Sequence, residues 1–137
     1  MTNARPVRRR RLAALIALVA VIAAGLVTNR VLTGSVATDI AGDALYAAVA
    51  YTGLVLLWPR ARRVVLAGVA AAWCIGVELF QLTGMPALLS ARFPPAALVL
   101  GSGFDARDLA VYVLAIVAAL GLDSVVTRRR SDAGSSH

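Results

Sequence analysis

Residues 12–29 read LAALIALVAVIAAGLVTN, an uncharged run that directly follows four consecutive arginines, Arg8–Arg11. Eighteen apolar residues without a charge are long enough to cross the hydrocarbon core of a bilayer as a helix. A basic start and an apolar body are also typical of a secretory signal peptide, with small residues at 23–25 as a cleavage site. Because further apolar runs follow, we expect an uncleaved first span.

Three more apolar runs, at residues 42–58, 64–83 and 108–126, predict three further transmembrane helices. Of the 137 residues, 60% are hydrophobic and only 15% are charged, an apolar excess that excludes a soluble globular domain. We therefore predict an all-α, polytopic membrane protein. Residues 1–137 would form a single transmembrane domain with a flexible basic N-terminus and a polar C-terminal tail.

Residues 84–107 are apolar in part but do not predict a fifth span. The segment is broken by Arg92, by the pair Pro94-Pro95 and by Gly101 and Gly103. Its longest clean run after the prolines, residues 96–104, would be about 14 Å long as a helix, which is too short to cross. We predict a re-entrant or interfacial segment between the third and fourth spans.

The arginines predict the orientation of the bundle. All fourteen basic residues are arginine, and four spans with a cytoplasmic N-terminus place all but three of them on the cytoplasmic side, namely all but Arg30, Arg92 and Arg107. This bias follows the positive-inside rule, and a fifth crossing would remove it. We expect a multi-pass protein of the inner, cytoplasmic membrane with both termini in the cytoplasm.

Several functions are disfavoured by the residues available. The arginines border apolar runs instead of forming a basic face, so we expect no nucleic-acid partner. The chain has one cysteine, Cys74, and one histidine, His137, which is the last residue. No metal site, cofactor or catalytic residue is therefore predicted, since no histidine or lysine is placed to activate a serine.

The acidic residues are distributed very unevenly. Asp43 begins the second span, Glu78 and Gln81 end the third, and Asp108 begins the fourth, so all four belong to the extracytoplasmic end of the bundle. A carboxyl at membrane depth usually faces the bundle interior or a water-filled cavity. For Glu78 the alternative is a hydrogen bond that only holds helices together, and for Asp43 and Asp108 it is capping of a helix N-terminus.

Aromatic and basic residues accompany these acids. Tyr46 follows Asp43 at i+3 and Tyr112 follows Asp108 at i+4, so each tyrosine shares a helix face with an acid. Arg92 and Arg107 either neutralise the acids or form the anion-binding half of a site for phosphate or carboxylate. The candidate ligand-binding set is Asp43, Tyr46, Glu78, Gln81, Arg92, Arg107, Asp108 and Tyr112.

The order of these motifs resembles that of a known family. Gly42-Asp43 with Tyr46, then Glu78-Leu79-Phe80-Gln81, then LVLGSGF at residues 98–104, then Asp108-Leu109 with Tyr112, is similar to small bacterial integral membrane proteins of unknown function. More distantly, it looks like VanZ-like proteins, which combine D-x-x-H-F, E-x-x-Q, an arginine and D-x-x-x-N. By position, Asp43, Glu78, Gln81, Arg92 and Asp108 match, whereas Tyr46 replaces the histidine and Tyr112 the asparagine.

These observations favour a membrane protein with an outward-facing polar pocket that binds an envelope lipid or a lipid-linked ligand. Two other interpretations stay open. One is a membrane-embedded acid/base enzyme that uses Glu78 and Asp108 on an envelope lipid. The other is a small transporter. The lipid bilayer is the expected environment, and the alanine- and glycine-rich helices are compatible with a homo-oligomer.

Overall fold

The computed structural model describes residues 4–31, 35–101 and 103–132 of the chain. All regular structure in these ranges is helical, which confirms the predicted all-α class. The helices are α1 (Ala4–Val31), α2 (Val36–Leu57), α3 (Arg63–Gln81), α4 (Met85–Arg92), α5 (Ala97–Leu100) and α6 (Ala106–Asp132), and a 3₁₀ turn at Pro94–Ala96 precedes α5.

Four of these helices are long and apolar enough to cross a membrane, as the sequence predicts. The candidate spans are Pro6–Thr28, Val36–Leu57, Arg63–Gln81 and Ala106–Val126, within α1, α2, α3 and α6. The three segments between α3 and α6 are far shorter, since α4 has eight residues and would be about 12 Å long. The prediction of a non-spanning connection is therefore confirmed.

The second helix begins earlier than the apolar run that predicts it. The apolar run begins at Gly42, but α2 begins at Val36 because Ser35 caps it. The Ser35 hydroxyl accepts a hydrogen bond from the backbone N–H of Thr38 at 3.3 Å, which satisfies one of the free donors of the first turn. Asp43 consequently lies two turns inside α2 and does not cap it.

Helix α2 is the centre of the bundle. It packs against α1, α3 and α6, while α3 also packs against α6. The core contains mostly small side chains, such as Ala47 of α2 and Ala70 and Cys74 of α3, with Ile116 from α6. Small residues at helix interfaces let backbones approach closely, which is how helices associate where lipid removes the hydrophobic driving force.

A polar cluster ties the bundle together at the end that carries the arginine-rich N-terminus. Asp123 of α6 accepts hydrogen bonds from Arg10 at 2.7 Å and from the hydroxyl of Tyr51 at 2.9 Å. Arg63 lies 3.7 Å from the same carboxylate. Arg10 also donates to the carbonyl oxygens of the turn between α2 and α3. One carboxylate thus links all four long helices.

We expect Asp123→Asn to lower the free energy of unfolding by about 3 kcal/mol, because it leaves the charge of Arg10 unpaired in a mostly buried position. The side chains of Arg10 and Asp123 are only 15% and 13% exposed. Thermal unfolding of the purified protein in detergent, followed by circular dichroism, measures the loss.

The matched control is Asp105→Asn. Asp105 pairs with Arg107, but the two side chains are 46% and 42% exposed, so this pair contributes less than about 1 kcal/mol. The Asp105 carboxylate also caps the start of α6, because it accepts a hydrogen bond from the backbone N–H of Arg107 at 2.9 Å. Asparagine caps a helix as well as aspartate does, so this contact is kept in the variant. Equal losses in the two variants would contradict a stabilising role for the Asp123 cluster.

Candidate functional site

A polar cavity of about 420 Å³ lies at the opposite end of the bundle, where α1 and α3 end and α2 and α6 begin. Its volume is within the range of small-molecule sites in proteins. All four long helices and the segment after α5 contribute to its wall. The lining residues are Gly25, Thr28, Thr38, Asp39, Gly42, Asp43, Glu78, Gln81, Gly101, Gly103, Asp105, Arg107, Asp108 and Tyr112.

Glu78 is the most deeply buried of the polar residues, with 1% of its surface exposed. It shares one face of α3 with Cys74 and Gln81, both of which are also buried. Its Oε1 accepts a hydrogen bond from the hydroxyl of Tyr112 at 3.2 Å, and its Oε2 accepts one from the backbone N–H of Asp105 at 3.3 Å. Glu78 therefore points into the bundle. It connects α3 to the residue that precedes α6 and to the second turn of α6.

Tyr112 brings the carboxyl groups of two other helices together. Its hydroxyl lies 3.2 Å from Glu78 Oε1 and 3.5 Å from Asp43 Oδ1, so one proton serves acceptors on α3 and α2. Asp108 interacts electrostatically with both acids. The sequence associated Tyr112 with Asp108, its own helix neighbour. Because helical side chains point back toward the N-terminus, the hydroxyl lies near Asp108 and also reaches Asp43 and Glu78 on the neighbouring helices.

Gln81 connects α3 to the segment that follows α5. Its Nε2 donates to the carbonyl oxygen of Leu100 at 2.8 Å, and that carbonyl can only accept, so the orientation of the amide is determined. Its Oε1 is buried and has no hydrogen-bond partner among the residues described. Gln81 itself is 9% exposed. The cavity wall thus contains a buried acceptor that none of the described residues satisfies.

Gly101 permits this contact. Its φ of 68° is in the left-handed region, and a Cβ there would collide with the amide of Gln81. Gly101 is also the residue that ends α5. The glycine therefore allows the chain to turn close against α3.

Tyr46 lies beside the cavity without lining it. Its hydroxyl accepts a hydrogen bond from Trp73 Nε1 at 2.9 Å and donates to the carbonyl oxygen of Val99 at 2.8 Å. Its ring packs at 51° against that of Tyr112, with centroids 6.1 Å apart. Tyr46 therefore holds α5 against α2 and α3, and it does not contribute a free group to the cavity.

The two arginines are not brought together. Arg107 lines the cavity but is paired with Asp105 at 2.8 Å. Arg92 is the exposed last residue of α4 and is not among the lining residues. An anion-binding pair formed by Arg92 and Arg107 is therefore not assembled in this structure, because α4 ends away from the cavity.

Asp39 is a lining residue that the sequence analysis missed. It lies at i−4 from Asp43 on the same face of α2. The spacing could have identified it, but the predicted span began only at Gly42. With Asp39 and Asp105, five of the seven acidic residues of the chain line this cavity. In the part of the chain that is described, no group of histidine, cysteine or acidic side chains is arranged to hold a metal ion.

Most of the residues that line the cavity lie in one segment of the chain, between residues 38 and 112. The model of a family of proteins of unknown function, DUF2809, matches residues 32–116. The chain belongs to the DUF2809 family. The matched region contains every lining residue of α2, α3 and the start of α6, and excludes only those of α1. No curated protein and no solved structure matches the chain, and nothing in these comparisons links it to VanZ-like proteins.

A series of three glycine substitutions ranks the conformational and steric constraints on the glycines of this region. Gly101→Ala is expected to reduce the free energy of unfolding most, because the collision with Gln81 adds to a cost of about 1–2 kcal/mol for an L-residue at positive φ. Gly84→Ala is expected to lower the free energy of unfolding only through its positive φ of 70°, since no atom lies within 4 Å of the added Cβ.

Gly103→Ala is the neutral member of the series, as its Cβ also meets nothing within 4 Å. We expect it to remain within about 0.5 kcal/mol of the wild type. Thermal unfolding in detergent ranks the three variants. A loss for Gly101→Ala no larger than that for Gly84→Ala would contradict the close approach of Gly101 to Gln81.

Proposed function

We propose that this protein is an integral membrane binding protein whose cavity holds the polar head group of an envelope lipid or lipid-linked ligand. The ligand brings hydrogen-bond donors, such as an ammonium group or several hydroxyls. The observation that carries this proposal is the surplus of acceptors in the buried part of the cavity. Tyr112 donates its hydroxyl proton and Gln81 donates one N–H within the protein, whereas Gln81 Oε1 has no partner among the described residues.

The charge of the cavity supports a donor ligand over an anion. Five carboxyl groups line it, and the single arginine among the described lining residues, Arg107, is already paired with Asp105. A ligand with a net negative charge would be repelled by this surplus. An ammonium group would make charge-assisted hydrogen bonds to carboxylates, which are among the strongest in proteins.

A binding role is also favoured over transport by the packing in the middle of the bundle. Between the cavity and the Asp123 cluster, the buried residues are apolar or nearly so, namely Ala47, Ala70, Cys74 and Ile116. A proton or ion pathway needs a chain of polar groups across this layer. For an enzyme, none of the described lining residues is a serine, cysteine or histidine.

An envelope ligand is supported by the expected position of the cavity. The arginine distribution favours an extracytoplasmic position for the cavity in the inner membrane, with both termini of a single membrane domain in the cytoplasm. The motif order that resembles VanZ-like proteins agrees with an envelope role. Four of the residues in those motifs, Asp43, Glu78, Gln81 and Asp108, line the cavity.

Ligand preference is tested by native mass spectrometry of the detergent-solubilised protein with two probes of identical acyl chains, phosphatidylethanolamine and phosphatidylglycerol. The cavity is expected to bind the ethanolamine lipid in preference to phosphatidylglycerol, and the lipid that Glu78→Gln removes is the lipid assigned to the cavity. Glu78→Gln reduces its occupancy about tenfold, because one charge-assisted hydrogen bond of about 1.5–3 kcal/mol is weakened.

The matched control is Arg92→Ala, which removes an exposed charge outside the cavity. Its ethanolamine-lipid occupancy should equal that of the wild type. If Glu78→Gln kept full occupancy, or if Arg92→Ala lost it, the proposed cavity would not be the binding site.

The orientation is tested by labelling single cysteines in a Cys74→Ala background with a membrane-impermeant maleimide. Met85→Cys reports the cavity end and Arg60→Cys reports the opposite end, and both positions are exposed. In right-side-out vesicles, we expect only Met85→Cys to react, and in inverted vesicles only Arg60→Cys. The reverse pattern would place the cavity in the cytoplasm and exclude an extracytoplasmic ligand.

A further inference from the structure

A second cavity, of about 560 Å³, is a groove between α1 and α6 with α2 as its floor. Both outer helices pack against α2, and the groove separates them. It is distinct from the polar cavity, because the two share no lining residue. Its volume is also that of a ligand site and not of a packing defect.

The walls of the groove are three apolar stripes, each with the spacing of one helix face. Most of the side chains with which α1 lines the groove at membrane depth are alanines. The lining residues at membrane depth are Ala13, Ala14, Ala17 and Val21 from α1, Ala48, Tyr51, Thr52 and Val55 from α2, and Ala119, Leu122 and Val126 from α6. A narrow channel lined by alanine and branched aliphatic side chains suits a hydrocarbon chain.

One end of the groove is positively charged. Arg9, Arg10 and Asp123 line it, which leaves a net positive charge, and the two arginines differ in their partners. Arg10 is committed to Asp123 and to the carbonyl oxygens of Pro59 and Ala61. Arg9 is exposed and makes no hydrogen bond or ion pair with any described residue. Its guanidinium is thus available at the point where the apolar groove reaches the membrane interface.

We propose that this groove binds an anionic phospholipid, with one acyl chain between α1 and α6 and the phosphate at Arg9. The charge complementarity favours this occupant over a second copy of the chain. Copies in one membrane share an orientation, so a neighbouring helix in the groove would place its own arginine-rich end beside Arg9 and Arg10. A lipid phosphate neutralises this charge, and a bidentate guanidinium matches its geometry.

The groove is tested by native mass spectrometry of the full-length protein with phosphatidylglycerol and phosphatidylcholine of identical acyl chains. The wild type retains phosphatidylglycerol preferentially. Arg9→Ala lowers its occupancy about fivefold, equivalent to about 1 kcal/mol for one arginine near a lipid phosphate, and removes the preference. Ala17→Leu fills the groove and lowers the occupancy of both lipids.

Two matched controls accompany these variants. Arg62→Ala removes an exposed arginine from the same end of the bundle, and Ala20→Leu enlarges an exposed residue of α1, while neither position lines the groove. Both controls retain the lipid as the wild type does. An equal loss of phosphatidylglycerol in Arg62→Ala would show general surface attraction and overturn the proposal.

Two further outcomes would overturn it. If Arg9→Ala bound phosphatidylglycerol like the wild type, the phosphate would not be at Arg9. If Ala17→Leu left lipid binding intact but shifted the protein from dimer to monomer in size-exclusion chromatography with light scattering, the occupant would be a second copy. Arg9 is exposed, so its substitution tests the site even if Ala17→Leu does not fold. Glu78→Gln should leave this binding unchanged, which separates the groove from the polar cavity.

Discussion

A buried carboxyl inside a bilayer must find its hydrogen-bond donors within the protein, and Glu78 places this requirement on the half of the bundle that contains the polar cavity. Two donors meet it, the hydroxyl of Tyr112 and the backbone N–H of Asp105. Both come from the region where α6 begins, so satisfying Glu78 determines how α6 sits against α3. The same hydroxyl reaches Asp43, which brings α2 into the arrangement.

Carboxyl groups occur at both ends of the bundle, but they are paired with arginines at one end and are in excess at the other. At the arginine-rich end, Asp123 is matched by Arg10, Arg63 and Tyr51, which leaves a closed cluster that stabilises the fold. At the other end, carboxyl groups outnumber the single paired arginine of the described wall, and Gln81 keeps an unsatisfied oxygen. A cluster of opposite charges stabilises the fold, whereas a surplus of hydrogen-bond acceptors has capacity left for a ligand that brings donors.

The two cavities are consequently complementary in their proposed ligands. The polar cavity suits a donor-bearing head group, while the groove between α1 and α6 suits an acyl chain with an anionic phosphate. The apolar middle layer of small residues separates them. A single thin bundle can therefore contact lipids of different charge at its two ends without a polar path between them.

The sequence by itself determined the helical class, the four spans and the non-spanning segment after α3, because helix length and apolar content are local properties that the bilayer thickness selects. It also identified Glu78, Gln81, Asp43 and Asp108 as residues of one end. Tertiary structure alone decided that Tyr112 bridges Asp43 and Glu78, that Arg92 stays outside the cavity, and that α1 and α6 leave a groove. These outcomes depend on side-chain direction and on which helix faces meet, and neither is encoded in the hydropathy of any one segment.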